Sequence, residues 1–295
     1  MRSADFEARF VEDRRRVEER LAVLLAPQSE EPRSLHGAMR YSTLDGGKRL
    51  RAILCMAAHS LCGDPHRESA LDAGCAIECL HAYTLIHDDL PMIDNDDFRR
   101  GKPSCHKRYG EQVALMAGDA LQALAFEILA GCGAPAPSVA EAVRILSRAA
   151  GSRFLVGGQV ADIEAGGAKS TEELVRFIHS RKTGELIAAS LSIGAAVAGA
   201  DDGMRLRMHE IGRAVGFAFQ IVDDILDVEG SMEKVGKTLR KDDKEGKITY
   251  PAHFGIESSR EAVSRLIAAA TSGIRELGDD GYLQSIFASI AGRSS

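Results

Sequence analysis

Five aspartates crowd into ten residues of the segment HDDLPMIDNDDFRRGK, which runs from position 87 to position 102. Like charges packed this closely repel one another, so the cluster is costly unless it faces water or a cation. Basic side chains follow almost at once and could hold an anion. The residues concerned are Asp88, Asp89, Asp94, Asp96 and Asp97, followed by Arg99, Arg100 and Lys102.

A second aspartate cluster lies far downstream in FQIVDDILDV. Asp223 and Asp227 are one helical turn apart and share a face, whereas Asp224 is rotated from Asp223 by about 100°. The apolar neighbours predict a mostly buried helix, in which three carboxylates need cations. Taken alone, this cluster could equally be a solvated face or the partner of an arginine. Two such clusters in one chain favour metal binding.

The first cluster departs from helical spacing. The position one turn after Asp88 is Met92, and the next carboxylate is Asp94. Pro91 lacks an amide proton and disfavours helical geometry at Leu90, so a local distortion could turn Asp94 back towards Asp88. The two later aspartates, Asp96 and Asp97, either belong to the site or lie in a solvated loop, and we favour the loop.

The ligand types select the metal. Oxygen ligands without histidine or cysteine favour Mg²⁺, which keeps several waters and joins carboxylates to the phosphates of a substrate. A calcium loop of the EF-hand type is excluded because glycine and glutamate do not occupy its required positions.

Basic residues elsewhere could bind phosphate, although each alone is more often an ordinary surface charge. There is no GxxxxGK[ST] loop and no GxGxxG after a strand, so nucleotide phosphoryl transfer is not supported. Carboxylates for a metal, cations for phosphates and apolar helix walls suit the departure of a diphosphate from a hydrophobic substrate. The basic candidates are Lys48, Arg49 and Arg51 in GGKRLR, Arg181 and Lys182 beside Thr183 in HSRKTGE, and Lys237 and Lys247.

Composition restricts the partners and the location. The net charge of -6 and the pI near 5.9 argue against a general binder of nucleic acid or anionic membranes. The six cysteines form no CxxC pair and are typical of buried thiols in a reducing compartment. The charged start lacks the apolar core of a signal peptide. The longest apolar run, 186–200, is too short for a membrane span. We therefore expect a cytoplasmic protein.

Helical periodicity dominates the chain, and no run of alternating β-branched residues indicates a sheet. We predict one all-α domain over residues 1–295 with roughly ten helices. The charged loop at 229–247 is of the kind that often covers an active site. Long helical patterns extend over residues 48–62, 67–89, 111–130, 139–165, 171–200, 202–228 and 259–277.

Seven segments together closely resemble the bacterial trans-isoprenyl diphosphate synthases, and most of all the short-chain farnesyl diphosphate synthases. Each motif is weak to moderate alone, but their order along essentially the whole chain is highly specific. They are GGKRLR (46–51), DDLPMID (88–94), RRGKPSCH (99–106), GGQVADI (157–163), RKTGELI (181–187), FQIVDDILD (219–227) and GKITYP (246–251).

The resemblance implies a large helical bundle around a central cavity, usually as a homodimer, with three Mg²⁺ ions bound alongside the allylic diphosphate. The metal ligands would be Asp88 and Asp94 with Asp89 in support, and Asp223 with Asp227 opposite. Contacts to the allylic diphosphate would come from Arg99, Lys182, Thr183, Gln220, Lys237 and Lys247, of which Lys182, Thr183, Gln220 and Lys237 would be catalytic. Isopentenyl diphosphate would lie near Lys48, Arg51, His81 and Arg100.

Two of these assignments carry open alternatives. Without the resemblance, His81 would be interpreted as a core histidine.

Tyr83 lies five residues before Asp88, about 7.5 Å along a helix axis. A large side chain there would act as a floor for the growing tail, and Thr84 beside it is of modest size. The prediction is farnesyl diphosphate from dimethylallyl or geranyl diphosphate. Geranyl and geranylgeranyl diphosphate remain as alternative products, and a terpene cyclase is the more distant one.

Overall fold

The computed structural model describes residues 3–63, 67–166, 171–229 and 249–292. These parts of the chain are almost entirely helical, as the sequence predicts. The α-helices are α1 (Ser3–Leu24), α2 (Arg33–Leu44), α3 (Leu50–Leu61), α4 (Arg67–Asp88), α5 (Cys105–Tyr109), α6 (Glu111–Ala130), α7 (Ala136–Ala150), α8 (Leu155–Glu164), α9 (Glu172–Ile178), α10 (Glu185–Val197), α11 (Asp202–Glu229), α12 (Tyr250–Phe254), α13 (Ile256–Glu276) and α14 (Tyr282–Ala291).

Two predicted helices are interrupted. The chain leaves helical geometry between α7 and α8, where Phe154 has φ -128° and ψ -103°, so the prediction of one helix over 139–165 is wrong. The prediction of one helix over 171–200 is also wrong, because a π-helical turn at His179–Gly184 separates α9 from α10. We call this segment the π-turn. Single-turn π-helices are rare and occur frequently at functional sites.

The prediction that the chain has no sheet needs a small correction. Strands β1 (Phe98–Arg99) and β2 (Lys102–Pro103) form a two-stranded antiparallel hairpin. Its two-residue loop is Arg100 and Gly101, which both have positive φ (54° and 77°). Positive φ at both loop positions is what a tight hairpin requires, although Asn-Gly is the more usual pair.

Helices α3 and α10 lie at the centre of the molecule. The described residues form two clusters of buried apolar side chains, and both helices contribute to each cluster. Every residue of α10 is buried, which confirms the interpretation of this apolar run as a core helix. Helices α4 and α6 belong to one cluster and α11 and α13 to the other. The two helices that carry the aspartate motifs, α4 and α11, therefore flank a shared core.

Helix α6 is long and apolar enough to cross a membrane by length and composition, and 39% of its most apolar window is buried. No other helix among the described residues passes that test. A core helix of a globular protein passes it as well, and α6 packs closely against α4 and α2.

Candidate active site

The first aspartate motif lies where α4 ends. The helix stops at Asp88, and the chain then turns so that the amide of Asp94 donates to the carbonyl oxygen of Asp88 over 2.9 Å. The amides of Ile93 and Asn95 both donate to the carbonyl of Leu90, at 2.9 and 3.0 Å. This is the distortion that Pro91 predicts, and it returns Asp94 to Asp88.

The carboxylate of Asp88 lies in an environment that disfavours its charge. Burial raises the pKa of Asp88 to about 6. Lys182 opposes this shift, whereas Asp94 and Asp89 add to it. A carboxyl group in such a position gains from a nearby divalent cation, because the cation offsets both the burial and the like charges.

Asp89 already has a partner. It is almost fully buried, and the Nε of Arg99 donates to its two oxygens at 3.0 and 3.2 Å, while Nη2 of Arg99 makes a further close contact. Burial is the larger influence and raises the pKa of Asp89 despite this partner. The pairing leaves Asp89 less available to a metal than Asp88 or Asp94, and it engages part of the guanidinium of Arg99.

The two later aspartates of the segment differ in their surroundings. Asp96 lies 3.6 Å from the guanidinium of Arg99, so it belongs to the edge of the same charge network. Asp97 is exposed and forms an ion pair of 2.8 Å with Lys107. The expectation of a solvated loop suits Asp97 better than Asp96.

The second aspartate motif lies on α11, where Asp224 is rotated away from the face that Asp223 and Asp227 share. Asp224 is buried and accepts hydrogen bonds from the Nε2 of Gln220 and from the backbone amide of Tyr250, both at 2.8 Å. His179 of the π-turn lies 3.4 Å from the same carboxylate. Asp224 thus holds Gln220 and the backbone of Tyr250 in place. Asp223 is only partly buried, and its negative charge acts to raise the pKa of Arg51. Asp227 is buried on the same face of α11 as Asp223.

The π-turn lies between the two motifs. Nζ of Lys182 forms an ion pair of 2.6 Å with Asp162 of α8. Burial, the largest influence, acts to lower the pKa of Lys182, but Asp162, Asp88 and Asp94 together raise it. On the other side, Oγ1 of Thr183 donates to Oε1 of Gln220 over 2.7 Å. The π-turn therefore connects the aspartates of α4 to those of α11.

Asp162 and Asp224 contact predicted site residues, and the sequence reasoning gave neither of them a role of its own. Asp162 lies inside GGQVADI, which the resemblance includes without assigning a role to this carboxylate. For Asp224 the signal was present, because its 100° rotation from Asp223 already separates the two side chains.

Several arginines, among them Arg49, Arg51 and Arg100, cluster around His81 beside the first motif, and we call this group the arginine pocket. Arg51 and Arg49 are almost fully buried, and both have guanidinium nitrogens without a hydrogen-bond partner. Burial, and after it the charges of Arg51 and Arg100, hold the pKa of His81 well below its usual value. Several cations around a neutral imidazole make this pocket suitable for an anion.

Backbone geometry shapes the same pocket. Arg49 and Arg100 both have positive φ (51° and 54°), which is uncommon for residues other than glycine. Nη1 of Arg100 donates to the carbonyl of Gly46 over 2.7 Å. A Cβ on Gly47 would lie 3.0 Å from Nη2 of Arg100, so glycine allows this guanidinium to pack on the loop. Lys48 follows and is exposed at the rim.

The predicted floor residue is buried on α4. Tyr83 is 6% exposed, and its ring meets that of His87 edge to face. Thr84 is also buried, and its hydroxyl donates to the carbonyl of His81 over 2.7 Å. Two other predicted contacts, Lys237 and Lys247, lie outside the described residues, together with nearly all of the predicted loop at 229–247.

These side chains do not form a ready metal site by themselves. Within the described ranges, no three His, Cys, Asp or Glu side chains come together in a group that could hold a metal ion. The arrangement can nevertheless hold a cation with the help of a polyanionic substrate, because Mg²⁺ is commonly bound through one or two carboxylates plus phosphates.

A family model described as polyprenyl synthetase matches residues 32–282, which is most of the chain. The chain belongs to this family. It is a trans-isoprenyl diphosphate synthase and therefore a prenyltransferase. It is 46% identical over 244 residues to chloroplastic geranylgeranyl pyrophosphate synthase 7 of Arabidopsis thaliana, covering 81% of this chain and 70% of that protein.

Solved structures agree with this polyprenyl synthetase assignment. An apo FPP/GFPP synthase from Zymomonas mobilis superimposes with a TM-score of 0.87 at 34% identity, covering 98% of this chain and all of that one. A geranyltransferase from Helicobacter pylori, complexed with magnesium and isoprenyl diphosphate, gives a TM-score of 0.87 at 28% identity, covering 99% and 98% of the two chains. The fold is that of the isoprenoid synthases, as predicted. These relatives differ in product length, so family membership alone does not choose the product.

Proposed function

We propose that this prenyltransferase condenses isopentenyl diphosphate with dimethylallyl diphosphate and then with geranyl diphosphate, and releases farnesyl diphosphate (C15). The proposed site rests on Lys182, which acts on Asp88 at the end of α4 and on Asp94 in the turn that follows, while its neighbour Thr183 is hydrogen-bonded to Gln220 of α11. The choice of C15 rests on Tyr83, a bulky buried side chain one and a half turns before Asp88 on the same helix.

Magnesium suits the donor set. The proposed ligands are all carboxylates, and the raised pKa of Asp88 is the mark of a buried carboxyl group without enough positive charge nearby. Asp88 and Asp94 would bind from α4, and Asp223 and Asp227 from α11, with Asp89 in support through its pairing with Arg99. Three Mg²⁺ ions, the number that the family resemblance implies, would when bound stabilise the negative charge of the leaving diphosphate.

The cationic side chains would act on that same diphosphate. Lys182 and the free part of the Arg99 guanidinium would bind its oxygens, and Lys237 and Lys247 are proposed to join them. Thr183 and Gln220 would orient it, because Asp224 fixes the amide of Gln220. Positioned charges of this kind stabilise a transition state in which a carbon–oxygen bond breaks and the diphosphate leaves.

The arginine pocket would hold the second substrate. Arg51, Arg100 and Lys48 would bind the diphosphate of isopentenyl diphosphate, with neutral His81 beside them. Its double bond would attack the allylic carbocation to form the new carbon–carbon bond. A proton then leaves the resulting cation for the departed diphosphate, so no protein base is required. Apolar walls that include Phe217 and Phe219 would keep water from the cation.

A homodimer and a cytoplasmic location are part of the proposal. Leu115 and Met116 are exposed apolar side chains on one face of α6 (36% and 52%), and the exposed carboxylate of Asp119 lies one turn further on. A second copy of this chain would cover that face. All six cysteines are free thiols, which supports a reducing compartment.

The decisive assay uses purified protein, Mg²⁺, labelled isopentenyl diphosphate and each allylic primer in turn, with products separated by chromatography. We expect C15 as the main product from dimethylallyl and geranyl diphosphate, and no product in EDTA. Asp88→Ala should lower turnover by about 10²-fold or more, as loss of a charge-stabilising group does, with an unchanged circular dichroism spectrum. No condensation with any primer would remove the proposed activity, and C20 as the main wild-type product would remove the proposed length.

Tyr83→Ala tests the floor directly. Removing the ring should shift the main product from C15 to C20 or longer, because the tail can then extend along α4. Tyr83→Phe, which keeps the ring and loses only the hydroxyl, serves as the control and should still give C15. An unchanged product length in Tyr83→Ala would show that the floor lies elsewhere.

A further inference from the structure

Tyr83 packs against His87, one turn further along α4. The two rings meet edge to face, with centroids 5.5 Å apart and planes at 84°. Nε2 of His87 lies 3.0 Å from the carbonyl oxygen of Leu115 on α6 and donates to it when that nitrogen carries the proton. The imidazole of His87 is therefore held between the proposed floor residue and the neighbouring helix.

Gly118 of α6 provides the space that the imidazole ring of His87 occupies. A Cβ on Gly118 would lie 2.1 Å from Nε2 and 2.4 Å from Cδ2 of His87, closer than real Cβ atoms ever come to other atoms. Gly118 lies inside α6, where glycine costs about 0.5–1 kcal/mol relative to alanine. The space for the imidazole is the structural reason for a glycine at this position.

Packing, rather than hydrogen bonding, holds the ring of Tyr83. Its hydroxyl is buried without a hydrogen bond of good geometry, and Gln122 of α6 is the polar side chain beside it. A tyrosine without a fixed hydroxyl depends on its ring contacts for orientation. The edge-to-face contact with His87 is the one aromatic contact that Tyr83 makes among the described residues.

We propose that His87 and Gly118 set product length by fixing the position of Tyr83, an inference that rests on the proposed synthesis of a C15 product. Both are positioning residues, since neither is placed against the substrate. With His87 removed, the Tyr83 ring can turn into the vacated space and the floor becomes deeper. With a methyl group on Gly118, the imidazole is pushed towards Tyr83 and the floor becomes shallower.

The test measures product length in the Mg²⁺-loaded enzyme with labelled isopentenyl diphosphate and geranyl diphosphate. We expect His87→Ala to raise the ratio of C20 to C15 at least fivefold. His87→Phe keeps an aromatic ring without the bond to Leu115 and should retain C15. Gly118→Ala, assayed with dimethylallyl diphosphate, should raise the fraction released as C10.

A double variant separates positioning from general damage. If His87 acts through Tyr83, the Tyr83→Ala/His87→Ala enzyme should make products no longer than Tyr83→Ala alone, because interacting residues are not additive. A purely structural role would lower turnover and the melting temperature of His87→Ala without changing the product ratio, and would overturn the inference.

The outcomes distinguish this inference from the function on which it rests. C15 from His87→Ala together with longer products from Tyr83→Ala overturns the inference and leaves the proposed function intact. A wild-type enzyme whose main product is not C15 overturns the proposed function in the same chromatogram. If Gly118→Ala fails to fold, the two His87 variants still decide.

Discussion

Single residues in the arginine pocket show how burial changes the properties of ordinary side chains. The guanidinium of Arg51 is nearly inaccessible, and burial lowers its pKa despite the nearby carboxylates of Glu78 and Asp223. His81 is held neutral by burial and by the surrounding arginines. The free protein bears the cost of these unbalanced charges, and a bound diphosphate would relieve it. This balance of charge favours the proposed binding of a diphosphate here.

The low pKa of His81 predicts how stability depends on pH. The unfolded chain takes up a proton on His81 near pH 6.5, whereas the folded chain takes it up only at lower pH. The contribution of His81 to the free energy of unfolding is therefore fully present above pH 6.5. It is lost as the pH falls below that value, by up to about 1.4 kcal/mol per pH unit. Urea unfolding at pH 7.5 and pH 5.5 should show a smaller loss in His81→Gln than in the wild type. Equal losses in both proteins would contradict the low pKa.

At the scale of elements, the π-turn is the part that unites the site. It contains Lys182 and Thr183, whose partners Asp162 and Gln220 lie on different helices. A π-turn displaces side chains relative to a regular α-helix and so lets neighbouring residues reach both sides. Helix α8 supports this turn closely, since a Cβ on Gly158 would lie 2.5 Å from the backbone nitrogen of Lys182.

The contact at Gly158 gives a prediction about this element. Gly158→Ala should shift the π-turn, lower turnover by about tenfold or more and destabilise the fold by roughly 1–3 kcal/mol, as overpacking does. Gly203→Ala is a matched helical control, because its added Cβ meets only ordinary contacts. That variant should be neutral or slightly stabilising. Steady-state kinetics and thermal unfolding measure both effects, and wild-type kinetics in Gly158→Ala would show that α8 does not position Lys182.

At the scale of the whole molecule, two apolar clusters share α3 and α10 and keep α4 and α11 on either side of them. This arrangement brings motifs that are more than a hundred residues apart in sequence to the same site. It also leaves α6 with one face against α4 and another face exposed. The exposed face lies on the helix that supports His87, so dimerisation there would stiffen the proposed floor.

The homodimer is tested by placing a charge on that face. Met116→Glu should convert the dimer to a monomer in sedimentation equilibrium. An unpaired buried charge costs about 3 kcal/mol or more, which corresponds to about a hundredfold weaker association. Leu206→Glu is the control. Leu206 is 59% exposed on α11, a helix whose buried apolar residues belong to the other cluster from those of α6. A wild-type monomer, or an intact Met116→Glu dimer, would remove α6 as the interface.

The sequence by itself determined the helical class, most helix positions, both aspartate motifs and the turn at Pro91. These features depend on neighbours within about one turn, where periodicity and proline geometry act directly. The helix break at Phe154 and the π-turn escaped because neither segment contains a proline, and a glycine such as Gly151 or Gly184 does not by itself exclude a continuous helix.

Only the tertiary structure decided which charges face each other. Asp162 meets Lys182 across 20 residues, and Asp224 receives the amide of Tyr250 across 26. Gly118 receives His87 from another helix. Such pairings depend on how whole helices pack, and packing distances are not encoded in the local spacing of any one motif. The sequence therefore indicated the type of chemistry, and the packing of the helices determined which side chain or amide each carboxylate contacts.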